Sequence, residues 1–275
     1  MANIGYIPEY SLDDEAFVGM NGRFFEEKLE ALALMAKDEI WDFKSAKYKD
    51  TAKRYPILNN YLFFTYDRLK AENKIAFLDD DSAMCFNTGL QTKDYERDIY
   101  AYFTKNSRYP DTTSKKWYFQ RFCTNVNLTA FHSLPEICDY YDNPVDLIFD
   151  KRLDIRIYDE HIVIDNIDRF KDVGLDLPTN NLQDILENST KRAEHRVRRN
   201  YKIAIPQFYT DKVTNRSFIQ LLLPLCIHNK DKADLALVIS KEGQTYLAKT
   251  ILPLDWAYMN SRRIVTPDAD WIREI

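Results

Sequence analysis

Four runs near the end of the chain decide the fold: Lys202-Ile203-Ala204-Ile205-Pro206-Gln207-Phe208-Tyr209, Phe218-Ile219-Gln220-Leu221-Leu222-Leu223-Pro224-Leu225-Cys226-Ile227, Asp234-Leu235-Ala236-Leu237-Val238-Ile239-Ser240 and Thr245-Tyr246-Leu247-Ala248-Lys249-Thr250-Ile251-Leu252. Each has strand length and carries leucine, β-branched and aromatic residues. Short polar connections separate them, so they read as an antiparallel meander. Just upstream, Leu153, Ile155 and Ile157 alternate with Asp154, Arg156 and Tyr158. After a turn at Asp159-Glu160, His161 to Asp165 is expected to return as the hairpin partner. Asn180 or Asn181 is placed to cap a long helix ending near Arg199, and a short helix around Trp256 to Arg263 closes the chain. The order β-β-α-β-β-β-β-α is an antiparallel sheet packed by helices, an α+β class.

The first half reads differently. Phe25, Leu29, Leu32, Ala36 and Ile40 recur at three- and four-residue spacing and predict an amphipathic helix over Phe24 to Phe43. Pro56 suits the first turn of a second helix, Ile57 to Lys70, and the two are expected to pair. Strands follow at Lys74 to Leu78 and Ala83 to Phe86, around the turn Asp79-Asp80-Asp81-Ser82, and then at Ile99 to Thr104 and Trp117 to Cys123. Phe131 to Phe149 takes no clear assignment. A boundary near Asp150 divides the chain into 1–150 and 151–275, with one continuous domain as the alternative.

Composition removes whole classes of function. The chain has 275 residues, 45% hydrophobic and 29% charged, a globular balance. It holds only six glycines, and no G-x-G-x-x-G, P-loop or nucleophile-elbow pattern occurs. His132, His161, His195 and His228 are far apart in sequence, and Cys85, Cys123, Cys138 and Cys226 are isolated in apolar or aromatic runs. No local metal motif results, and the cysteines read as reduced thiols of a cytoplasmic protein. Met1 to Phe17 shows no secretory pattern, and no apolar run approaches the roughly 20 residues a membrane-spanning helix needs. No cofactor is implied.

The net charge is −5, so an anion site has to be local. On the helix ending at Arg199, the residues Leu182, Ile185, Leu186, Ala193 and Val197 form the core stripe. Lys191, Arg192, His195, Arg198 and Arg199 gather opposite. Between Lys191 and Lys202 there are six cationic side chains and one anionic, Glu194. Helix C-termini favour one or two cations, and this density exceeds that, which points to phosphate; a solvated face is the alternative. Among these cations a neutral His195 is the candidate general base. A second basic stretch, Lys105 to Arg121, interleaves Tyr109 and Trp117, candidates for stacking on bases if they are not core.

Several longer strings stand out: Phe86-Asn87-Thr88-Gly89-Leu90, Arg199-Asn200-Tyr201-Lys202, Ile205-Pro206-Gln207-Phe208-Tyr209, Ala233-Asp234-Leu235-Ala236-Leu237-Val238 and Leu254-Asp255-Trp256-Ala257-Tyr258-Met259-Asn260-Ser261-Arg262. With these motifs the chain resembles, from about Phe24 to Trp271, the bacterial family catalogued as domain of unknown function 3825. The resemblance brings no activity. It implies association with RNA, because members are similar in architecture to proteins carrying cold-shock-like or nuclease-like modules.

Amides embedded in apolar runs must be bonded internally or completed by a ligand, since an unpartnered buried amide costs about 1–3 kcal/mol. Asn87, Thr88, Asn200, Gln207 and Asn260 are read as polar selectors, and Arg262 and Arg263 as guanidiniums expected at the same sheet edge as Arg198 and Arg199. The leading reading is a nucleic-acid- or nucleotide-binding protein. The alternatives are a phosphoester-processing enzyme, nuclease or nucleotide hydrolase, at the same site, or an interaction module for an acidic protein partner.

Overall fold

The computed structural model describes residues 11–20, 23–45, 47–49, 53–111, 114–211 and 216–273. The first ten residues of the stretch read for a secretory pattern lie outside them. The chain divides into two compact units, one up to Tyr140 and one from Tyr141. The class is α+β, with one five-stranded sheet in each unit.

The N-terminal unit runs α1 (Ser11–Glu15), β1 (Ala16–Phe17), α2 (Glu26–Met35), α3 (Pro56–Ala71), β2 (Ala76–Phe77), β3 (Ala83–Gln91), β4 (Asp98–Lys105) and β5 (Trp117–Thr124). Its strand order is β1-β5-β4-β3-β2: an antiparallel meander with β1 added in parallel beside β5. Pro56 occupies the first turn of α3, where its missing N–H is not needed. The face of the sheet toward α2 and α3 is an aromatic core. Phe24 lies 4.9 Å from Phe119, Phe119 5.2 Å from Phe103, and Phe86 5.3 Å from Tyr66, edge to face in each pair. The opposite face, with Ala83, Cys85, Tyr100 and Cys123, is covered by Leu128 and Phe131. Burial there pushes the Cys85 thiol up to about 12, so it stays protonated at neutral pH.

The C-terminal unit runs β6 (Asp154–Arg156), α4 (Asp159–Asp165), α5 (Ile167–Asp172), α6 (Thr179–Val197), β7 (Ile205–Asp211), β8 (Arg216–Leu225), β9 (Leu235–Glu242), β10 (Thr245–Pro253), α7 (Leu254–Ser261) and α8 (Asp270–Arg273). Its order is β6-β10-β9-β8-β7, the meander expected from the four runs, again with a short parallel strand beside the last one. Leu221, Leu223 and Leu225 pack with Leu235, Leu237 and Ile239 against Leu182, Leu186, Ala193 and Val197 of α6. The alternate residues point the other way, and α7 packs on that side against β7, β9 and β10. Each unit is thus a strand, a helical segment and a four-strand meander that brings its last strand back beside the first.

Three expectations change. The hairpin read over Leu153 to Asp165 is a three-residue strand followed by helix α4. Asp154 pairs in parallel with Thr245 of β10, and Ile162 and Val163 enter the core from a helix whose first turn holds Asp159 and Glu160. The first helix is shorter than its periodicity, beginning at Glu26 and ending at Met35. The long helix begins at Thr179 after Pro178 and has no side-chain cap at Asn180 or Asn181.

Candidate nucleic-acid interface

The cations at the end of α6 play two parts, and Arg192, bonded yet exposed, takes both. Arg192 donates to the Cys226 carbonyl (2.9 Å), and Arg196 meets Cys226 Sγ (3.1 Å) and donates to the Lys230 carbonyl. Arg198 donates to the Lys151 and Leu153 carbonyls, to Asp154 (2.9 Å) and to Glu194 (2.7 Å). Its guanidinium pins the helix end to the start of β6, and Glu194 beside it raises its pKa further. Arg198 is a structural residue.

The outward set remains. Lys191, Arg192, His195, Arg199 and Lys202 are all exposed, and helical spacing puts Lys191, Arg192 and His195 along one side of α6, with Arg199 just past its end, over about 12 Å of axis. Nearby carboxylates are engaged, Glu187 by Lys191 (2.6 Å) and Glu194 and Asp154 by Arg198. Arg199 Nη1 stands 2.5 Å from a ring nitrogen of His195. The same guanidinium nitrogen stands equally near the other ring nitrogen, so Arg199 lies directly beside the imidazole.

The amides go elsewhere. Asn200 Oδ1 accepts from the Lys202 N–H and caps the short 3-10 turn Tyr201–Ile203. Gln207 donates to Gln220 (2.8 Å) and Gln220 to Ser240 (2.8 Å), a buried ladder across β7, β8 and β9 that ends in a Gln207 Oε1 with no partner. Gln220 and Ser240 alternate with Leu221 and Ile239, so the ladder lies on the α7 face, away from α6. Asn260 is half-buried on α7, Arg262 is buried at its end, and Arg263 reaches the Phe208 carbonyl at 3.5 Å. Arg262 and Arg263 therefore do not share an edge with Arg198 and Arg199; the sheet separates them.

Asn87 and Thr88 belong to the other unit. Asn87 donates to Asp98 and to the Pro135 carbonyl and accepts from the Gly89 N–H. Thr88 Oγ1 donates to the Ile99 carbonyl (2.6 Å), and its own carbonyl accepts from Tyr61. Both are buried and satisfied, and they hold the β3–β4 register.

Tyr109 and Trp117 do come together. They line a cleft of about 610 Å³ in the N-terminal unit. Tyr109 is exposed on the β4–β5 loop, whereas Trp117 is 2% exposed and sits under Phe77, 5.7 Å away. The cleft also contains Glu15 and Lys70, which sequence reading missed, and Lys116 of the second basic stretch. They arrive from α1, α3 and the β4–β5 loop, and no local spacing links the first two to the loop. Tyr66 donates to Glu15 (2.6 Å), Glu15 pairs with Lys70 (2.5 Å), and burial with that carboxylate raises the Tyr66 hydroxyl pKa. A further pair missed in the sequence is His228 with Asp234, 3.1 Å apart across the β8–β9 connection, whose carboxylate also accepts from the Ile227 and His228 N–H groups. Among the described residues no group of three or more histidines, cysteines or carboxylates is placed to hold a metal ion, and no helix is long and apolar enough to cross a membrane.

No curated protein and no solved structure matches the chain. Residues 32–271 match the family model described as Domain of unknown function (DUF3825). That span takes in the whole second sheet, four strands of the first and α6, and the chain belongs to this family.

Proposed function

We propose that the chain is a cytoplasmic nucleic-acid-binding protein that follows a phosphate backbone with the outward cations of α6, RNA being the partner the family resemblance favours. One observation carries the reading: Lys191, Arg192, His195, Arg199 and Lys202 stay exposed, and of the neighbouring carboxylates Glu194 and Asp154 are engaged by Arg198 and Glu187 by Lys191. Phosphate contacts of this kind give affinity without base readout, which fits a site whose neighbouring amide, Asn200, is engaged in capping its own turn.

The test is fluorescence anisotropy with a labelled single-stranded RNA. Four phosphate contacts give a slope of log K against log salt near −3, so raising salt from about 50 to 200 mM weakens binding roughly 50-fold. Arg199→Glu with Lys202→Glu should remove about half of that slope. No binding at low salt, or an unchanged slope in the double variant, overturns the proposal. Conversion of the strand during the titration moves the protein to the phosphoester-processing class instead.

A further inference from the structure

The two units share a strand order, so their equivalent corners can be compared. In each, the C-terminal end of the long helix reaches the chain at the parallel edge strand: Arg198 bonds Asp154 of β6, and Lys70 pairs with Glu15, which directly precedes β1, beside the β4–β5 connection. In the C-terminal unit this corner is closed. β9 turns into β10 through Gly243-Gln244 alone, and Arg198 is bonded to the chain around it, at the Lys151 and Leu153 carbonyls and Asp154. Two-residue hairpins of this kind are the tightest connections available.

The N-terminal unit departs from that plan at one place. β4 and β5 are joined by eleven residues, 106–116. The loop is held by its own bonds: Asn106 donates through its backbone to the Lys116 carbonyl and through its side chain to that of Lys115, and Ser114 donates to the Arg108 and Asp111 carbonyls. It forms one wall of the 610 Å³ cleft, a volume in the range of small-molecule sites. Long loops on a regular scaffold are where binding residues concentrate.

The chemistry of the lining selects a ligand. Tyr109 and Phe77 are 42% and 50% exposed, an aromatic wall backed by buried Trp117. Lys115 and Lys116 are half-buried and each is already paired, with Asp13 at 2.6 Å and Asp81 at 3.0 Å. An ammonium has three donors, so each keeps hydrogen-bonding capacity for a second oxygen. Asp14 is exposed at the same cleft, and an ionised carboxylate only accepts. Anions and cations are thus mixed around an aromatic wall. A bare polyanion meets Asp14 and Glu15, and a bare cation meets three lysines. A ligand that carries a planar ring, hydroxyl donors and one phosphate group satisfies all three parts.

We propose that this cleft binds a single nucleotide, its base against Tyr109 and Phe77, its sugar hydroxyls toward Asp14 and its phosphate toward Lys115 and Lys116. The site is independent of the α6 row, since it uses only residues of the N-terminal unit.

Isothermal titration of the full chain with each of the four ribonucleoside 5′-monophosphates tests it, with ribose 5-phosphate and inorganic phosphate as controls. At least one nucleotide should bind one-to-one with a sub-millimolar Kd, and both controls at least tenfold more weakly. Tyr109→Leu and Phe77→Leu keep apolar bulk and remove a ring, and each should weaken nucleotide binding tenfold or more with little change in melting temperature. Lys115→Gln should reduce the preference for the nucleotide over its nucleoside. No binding by any of the four, equal binding of ribose 5-phosphate, or indifference to both ring variants overturns the proposal. Displacement of the bound nucleotide by a short oligonucleotide of the same base supports the site and assigns it to a strand; failure to displace supports it and assigns it to free nucleotide. Arg199→Glu with Lys202→Glu leaves mononucleotide binding unchanged, so failure of the α6 reading and failure of this one are told apart.

Discussion

The N-terminal and C-terminal units place their strands in the same order, β1-β5-β4-β3-β2 and β6-β10-β9-β8-β7, yet fill that frame with different chemistry. The first packs phenylalanines edge to face beneath α3, and the second packs leucines beneath α6. Their cations differ as well. Arginines at the end of α6 bond to backbone carbonyls and leave an outward row, whereas lysines around the first unit's cleft bond to carboxylates. A guanidinium, with five donors in a rigid fork, serves several carbonyls at once and so suits structural tying; an ammonium is a point charge that shares itself between partners. The comparison teaches that topology sets where a site can form, and the connections and the cation type set whether it does.

The sharpest way to separate the two frames is to empty one core. Phe86 is fully buried, 5.3 Å from Tyr66 and 5.8 Å from Phe103. Phe86→Ala should destabilise the N-terminal unit by about 3–5 kcal/mol, the usual cost of deleting a core ring. Hydrogen exchange should then show protection lost across β3 and β4 before β8 and β9. Equal loss in both sheets would mean that the units unfold as one.

Neighbouring arginines of α6 make the second contrast. Arg198→Ala removes one guanidinium from two carbonyls and two carboxylates, which should cost about 2–3 kcal/mol. Arg199→Ala touches only the exposed His195 ring and should stay within about 0.5 kcal/mol while weakening RNA binding. Denaturant titration beside anisotropy reads both. A destabilised Arg199→Ala, or a neutral Arg198→Ala, would reverse the division of the basic helix into holding and binding residues.

That division shows where sequence reading stops. The four runs from Lys202 to Leu252 declare their strands because their length and composition are local properties, and α6 declares its core stripe by period. The alternation from Leu153 to Tyr158 marks β6, but β1 has only two residues, and no local pattern says that β10 and β5 return in parallel beside them, so the shared plan of the two units is invisible until they do. His161 to Asp165 carries three adjacent apolar residues, a run that fits a strand and a short helix equally well, and the helix buries Ile162 and Val163 while leaving Ile164 exposed. Local charge likewise marks α6 as basic without saying which guanidinium meets a carbonyl 45 or 47 residues away. The cleft is the extreme case, since Glu15, Lys70 and Tyr109 share no segment of sequence.

The smallest contrast lies in two glycines, one per unit, both left-handed. Gly243 (φ +60°) sits in the tight β9–β10 turn, and a Cβ there would meet nothing within 4 Å. Gly243→Ala therefore costs only the backbone preference, about 1 kcal/mol. Gly89 (φ +71°) lies in β3, where a Cβ would come within 2.6 Å of the Tyr61 hydroxyl, itself bonded to the Thr88 carbonyl at 2.7 Å. Gly89→Ala adds the displacement of a buried tyrosine and the loss of that bond, for a total of about 2 kcal/mol. The gap between the two variants, about 1 kcal/mol by denaturant titration, measures how closely α3 is pressed onto its sheet. If Gly89→Ala costs no more than Gly243→Ala, Tyr61 yields freely, and the aromatic core of the first unit is looser than its ring contacts indicate.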